Sequence, residues 1–153
     1  MSDVSPVPPQ YREQLCTLRI AQIAQSFQRF LGKPLVDNGT DIVRALWDSP
    51  AAVLAHGTEA DPVFFFGNAA ALRIFECDVD QFTAMPSRLS AEAPLRDERQ
   101  SLLERVSANG YIDDYAGMRI TATGRRFRIE RAIVWNLVDT GGVRQGQAAT
   151  FVY

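Results

Sequence analysis

Apolar residues along this chain keep two rhythms, one stepping by three and four, the other by two. The first rhythm opens the sequence. Cys16, Ile20, Ile23, Phe27 and Phe30 step by 4, 3, 4, 3 and mark a helix over residues 11–31 with one apolar stripe. Gly32 and Pro34 end it. Residues 1–10, with Pro6, Pro8 and Pro9, read as an unstructured lead-in. A short helix is expected over 40–47, with Thr40 or Asp41 as cap and Ile42, Val43, Leu46 and Trp47 buried. Residues 11–50 thus form an N-terminal helical segment. Its stripe either covers the protein's own sheet or makes a dimer contact.

From Ala51 the rhythm shortens. Strands are expected at 52–56 and 63–67, then a short helix at 69–75 capped by Asn68, a helical turn at 79–85 and a longer helix at 94–109. That longer helix carries Leu102, Leu103 and Val106 on one side, with Glu98 a turn before Leu102, and Gly110 closes it. Two long strands then fold over Thr123-Gly124, and a final strand covers 147–153 with Ala149 and Phe151 on one face. Hairpins at the C-terminal end and a helical middle predict an α+β domain over 51–153, an antiparallel sheet of five strands with helices packed on one face.

One position in the hairpin breaks its pattern. Odd positions of the second strand give Phe127, Ile129, Arg131, Ile133, Trp135 and Leu137, an apolar face interrupted by one cation. An unpaired buried charge costs several kcal/mol. Arg131 therefore pairs with Asp113, Asp114 or a glutamate, or is turned outward by a β-bulge, or joins Trp135 and Tyr115 at a cavity holding an anionic ligand. Asn68, Arg88 and His56 are the other ligand-binding candidates.

Composition narrows the classes. At 153 residues the chain forms one domain of ordinary apolar content, 46%, and its formal charge of −2 gives no reason to expect nucleic acid or an anionic membrane as partner. Fifteen of the sixteen basic residues are arginine, beside Lys33 alone. No secretory signal or membrane-length apolar run is visible, so a cytoplasmic protein is expected. Cys16 and Cys77 have no metal-ligand spacing and read as two reduced, half-buried thiols. Without a signal, the sequon Asn38-Gly39-Thr40 is only a turn.

Catalytic chemistry finds little footing. The only histidine is His56, with no nucleophile signature beside it. Asp78/Asp80 and Asp113/Asp114 make no calcium loop, and Gly141-Gly142 reads as hairpin geometry rather than a phosphate loop. Arg126 and Arg128 share the outer face of their strand with Glu130, which reads as a solvated face rather than a nucleic-acid patch.

The order of elements resembles the PAS fold, and the segment from Asp61 to Phe75, DPVFFFGNAAALRIF, is similar to the strand-to-helix passage of PAS domains. More specifically, the chain resembles the MEKHLA family, a PAS-like group found in bacteria and at the C-terminus of plant class III homeodomain-leucine zipper regulators. The resemblance rests on residues 26–35 (SFQRFLGKPL), 86–92 (PSRLSAE), 115–120 (YAGMRI), 124–130 (GRRFRIE), 134–136 (VWN) and 146–151 (GQAATF), with Gly110-Tyr111, and covers about 15–153. It implies a sensory or protein-interaction module with no settled ligand and no established enzymatic activity; the expectation here is a non-enzymatic homodimer that binds a small organic ligand or a partner protein. No cofactor is expected, neither haem on His56 nor flavin. The alternatives are a small α+β cavity enzyme, an isomerase or hydrolase using His56, and a dimerisation module with a filled core.

Overall fold

The computed structural model describes residues 6–37, 41–90 and 96–153, without the side chains of 96–100 and 103. The sequon, the Thr40 cap, the helix start at Pro94 and the side chains of Glu98 and Leu103 lie outside the described residues.

Pro8 and Pro9 shape the start of the chain. Pro9 sits in the first turn of a short 3-10 helix, Pro9–Arg12, whose Tyr11 side chain is fully buried. Part of the expected unstructured lead-in therefore has a fixed turn. The long helix α1 begins only at Gln14 and runs to Leu31, where Gly32 takes a left-handed φ of 74°. Helix α2, Ile42–Asp48, is capped by Asp41, whose carboxylate accepts from the Arg44 amide at 3.2 Å. The Arg12 guanidinium also grips Asp41 at 2.8 and 2.9 Å, and holds its carboxyl below the usual range.

The strands are β1 (Ala52–His56), β2 (Phe64–Gly67), β3 (Tyr111–Ile120), β4 (Arg126–Val138) and β5 (Arg144–Phe151). They form one antiparallel sheet of order β2-β1-β5-β4-β3. The final strand returns between β1 and β4, so β5 is central and the β3–β4 hairpin ends the sheet with β3 at the edge. Between β2 and β3 lie α3 (Ala69–Phe75), α4 (Val79–Thr83), a 3-10 turn at Ser87–Ser90 and α5 (Arg96–Asn109). Asp78 and Gln81 cap α4 reciprocally, each side chain bonded to the other's backbone amide.

The sheet is covered on both faces. Ala52, Leu54, Phe127, Ile129, Ala132 and Phe151 turn toward Phe75 of α3 and Phe82 of α4. Val134 and Ile112 meet Val106 of α5. On the opposite face, Val53, Ala55, Trp135, Leu137 and Ala148 pack against Ile20, Ile23 and Phe27 of α1. The valine, leucine, isoleucine and phenylalanine side chains among these each contribute about 1.5–3 kcal/mol by leaving water. The α1 stripe thus covers the protein's own sheet, and the dimer contact expected of it is already occupied intramolecularly. Among the described residues no helix is long and apolar enough to cross a membrane.

Candidate functional site

The misfit arginine resolves first. Arg131 has φ 55°, a left-handed backbone in the middle of β4, and its side chain is exposed. The ladder to β3 slips on both sides of Tyr115, where Gly117 faces Ile129 and Tyr115 faces Ala132. This bulge exchanges the two faces of the strand. Before it, Phe127 and Ile129 point to α3 and α4; beyond it, Trp135 and Leu137 point to α1. The cavity of Arg131, Trp135 and Tyr115 expected from alternation does not form. Among the described residues, no carboxylate bonds Arg131, and the bulge alternative is the one realised. A period-2 count assumes an unbroken strand, and two slips in one hairpin defeat it.

Trp135 is 0% exposed, donates its indole N–H to the Ile23 carbonyl at 3.1 Å and meets Phe27 edge-on with centroids 4.9 Å apart. It anchors α1. Asn68 is equally buried. Its carbonyl oxygen accepts from the Val53 and Ala71 amides at 3.0 Å each, and its NH2 donates to the Leu46 carbonyl at 3.0 Å and the Ala51 carbonyl at 2.9 Å. One side chain thereby caps α3 and ties it to β1 and the end of α2. Arg88 is exposed and pairs with Asp61 at 3.1 Å. Neither reaches a shared pocket with Tyr115.

His56 ends β1 on the face of Phe64, and its Nδ1 lies 2.9 Å from the Gly57 carbonyl. A carbonyl only accepts, so Nδ1 carries the proton and Nε2 is the free acceptor. Burial lowers its pKa from the ordinary value, against the hydrogen bond to Gly57, which raises it. Among the described residues, no carboxylate is hydrogen-bonded to the ring. Glu59 acts on the ring through its charge, which raises the pKa, without a hydrogen bond to it.

The space between the sheet and α3–α4 is filled by rings. Phe64 and Phe82 stack with centroids 4.3 Å apart, Phe82 lies 5.9 Å from Phe75, and Phe75 meets Phe127 at 5.4 Å and Phe151 at 6.5 Å. Gly67 permits this closure, since a Cβ there would fall 2.5 Å from Phe82 Cε2. Two depressions of about 240 and 630 Å³ lie elsewhere, one between α1 and the approach to α2, the other beside Arg19 and Glu59.

The cation that does turn toward the helix-side face is Arg119. It pairs across the ladder with Phe127, is half-buried, and donates to the Tyr115 hydroxyl at 3.1 Å with its guanidinium 5.3 Å from that ring. The sequence held a signal for it, because Tyr115, Gly117 and Arg119 share one parity. Among the described residues, no group of three or more His, Cys, Asp or Glu is placed to hold a metal ion.

Comparison with known proteins fits this architecture. A family model described as MEKHLA domain matches residues 18–153. Homeobox-leucine zipper protein ATHB-9 of Arabidopsis thaliana is 28% identical over 116 residues, which cover 74% of this chain and 14% of that protein. Homeobox-leucine zipper protein HOX29 of Oryza sativa subsp. indica is 26% identical over 126 residues, covering 78% and 15%. The chain therefore spans only 14–15% of the length of these relatives. Among solved structures, an RNA-binding light-oxygen-voltage receptor superposes with a TM-score of 0.60 at 20% identity, over 71% of this chain and 31% of that one. A PAS domain from Colwellia psychrerythraea gives 0.58 at 12% identity, over 70% and 88%. At such identities these structures show a shared fold alone.

Proposed function

We propose that this chain, which belongs to the MEKHLA domain family, is a PAS-like sensory module that signals through protein contacts on its surface rather than by enclosing a small molecule. The observation that carries this reading is the Phe64–Phe82 stack, backed by Phe75 and Phe127, which fills the space between the sheet and α3–α4. Among the described residues, these closely packed rings leave no volume for a ligand between them without displacing a side chain worth several kcal/mol of burial. Residues 51–153 are the PAS-like domain, and residues 11–50 seal the outer face of its sheet. The module works in the cytoplasm, where the free Cys16 and Cys77 stay reduced. It carries no enzymatic step.

A second reading, a small anion held at the sheet edge, is favoured by one observation: Arg119 is half-buried and bonded only to the neutral Tyr115 hydroxyl among the described residues. A thermal-shift screen of small aromatics, carboxylates and phosphates separates the two. The closed-core reading expects no compound to raise the melting temperature. A concentration-dependent rise that disappears in Arg119→Gln would replace it with the anion reading.

A further inference from the structure

Strand β3 closes one end of the sheet and has a neighbour on one side only, β4. Among the described residues, no backbone bond joins residues 111–120 to any other element. The turn fixes which groups are left over. Thr121 donates its N–H to the Arg125 carbonyl at 2.8 Å, so Arg119 and Gly117 also turn their backbone groups to β4 in the antiparallel ladder. Met118 and Ile120 turn theirs to the other side, and Ala116 follows in the same phase. The Ala116 side chain is exposed and Met118 is half-buried.

The two halves of this edge differ. The half that follows α5 carries Asp113 and Asp114, both exposed, where the ladder slips. Charges and bulges of this kind keep an edge from pairing with another strand. From Gly117 to Ile120 the ladder is regular, residue for residue against Ile129 back to Arg126, and it holds neither proline nor carboxylate. That half is unguarded.

Its side chains match a second copy of the chain running antiparallel. A two-fold axis at Gly117 sets this glycine against itself, where paired strands come closest. A Cβ there would fall 2.6 Å from the Tyr115 hydroxyl, so the position must stay bare. Ala116 of each copy then meets Met118 of the other. Arg119 meets Tyr115 of the other copy, a ring type it already approaches to 5.3 Å within its own chain, and Asp113 stands two residues beyond. Asp114 is held by Arg105, but among the described residues neither Arg119 nor Asp113 has an ion-pair partner. The cation at one end of the edge and the carboxylate at the other complement each other only when the second strand is reversed.

We propose that β3 pairs edge to edge with β3 of a second copy, antiparallel about Gly117, and joins two sheets into one. This rests on the surface-contact reading above and names a second copy as the partner. The two fail separately, because the closed interior is read by ligand binding and this pairing by oligomeric state.

The test is sedimentation velocity of the full chain from about 1 to about 300 μM, the range of small interfaces. The wild type is expected to pass from monomer to dimer, less readily as salt rises. Ala116→Lys places a charge on the edge and should weaken the dimer at least about tenfold. It should melt as the wild type does, since Ala116 is exposed. Arg119→Asp and Asp113→Arg should each weaken it about tenfold, because the two-fold repeats each lost pair, and the double variant should recover it. Leu18→Gln, on the 61% exposed flank of α1, should dimerise as the wild type does. The proposal is overturned by a wild type that stays monomeric, which would leave the edge to a different protein's strand. It is equally overturned by a dimer that survives Ala116→Lys, that is lost in Leu18→Gln, or that the double charge exchange does not recover.

Discussion

The rings of Phe64 and Phe82 stack 4.3 Å apart with planes 16° from parallel, which joins the edge strand β2 to α4 across the helix-side face of the sheet. Phe82 is fully buried and also touches the bare backbone of Gly67. Phe82→Ala is expected to cost about 3–5 kcal/mol in urea unfolding, and to open a dry cavity that takes up benzene or indole. A loss under about 1 kcal/mol, with no gain in binding of either compound, would show that the rings do not close the interior as described.

The Asn68 side chain bonds to β1, α3 and the end of α2, and so links three elements. Asn68→Ala removes the cap of α3 and leaves the Val53 amide and the Leu46 and Ala51 carbonyls without that partner. The expected destabilisation is roughly 2–4 kcal/mol, the sum of a lost cap and newly unpaired buried groups. A single cooperative transition should be retained at lower urea concentration. Early, separate loss of α2 would contradict the role of Asn68 as a tie between it and the sheet.

His56 makes stability depend on pH. Burial is the largest influence on it and lowers its folded pKa, so the unfolded chain takes up the proton first as pH falls. The unfolded state then binds more protons, and stability must drop as pH passes below the unfolded histidine value of about 6.5. Above that pH both states are neutral and the penalty is absent. Urea unfolding at about pH 7.5 and about pH 5.5 should show the wild type losing stability, while His56→Gln stays flatter over this range, where carboxylates remain ionised. Equal slopes for the two proteins would remove His56 as the titrating group.

Much of the fold was readable because local chemistry agreed with it. The step of α1, the Gly32 stop, the Asn68 cap and the Thr123-Gly124 turn each have a local physical cause. The position of the hairpin in the sheet was not readable, since strand order depends on which distant strand β5 joins. The site was least readable. Alternation assigned Arg131 and Trp135 to one inner face, but the bulge at Arg131 and the slips around Tyr115 moved them apart. A bulge has a sequence signature only when glycine or asparagine occupies it, and here arginine does. Arg119 could have been read from its shared parity with Tyr115 and Gly117, whereas the long-range meeting of Phe64, Phe82 and Phe127 leaves no mark in any local pattern.

The central claim is that the interior is closed and function lies on the surface. Native mass spectrometry of freshly purified protein tests it most directly, by comparing the mass of the folded chain with that after denaturation. The two masses should agree, with no small molecule released on unfolding. A stoichiometric mass difference, lost on denaturation, would contradict the account and place a ligand inside the fold.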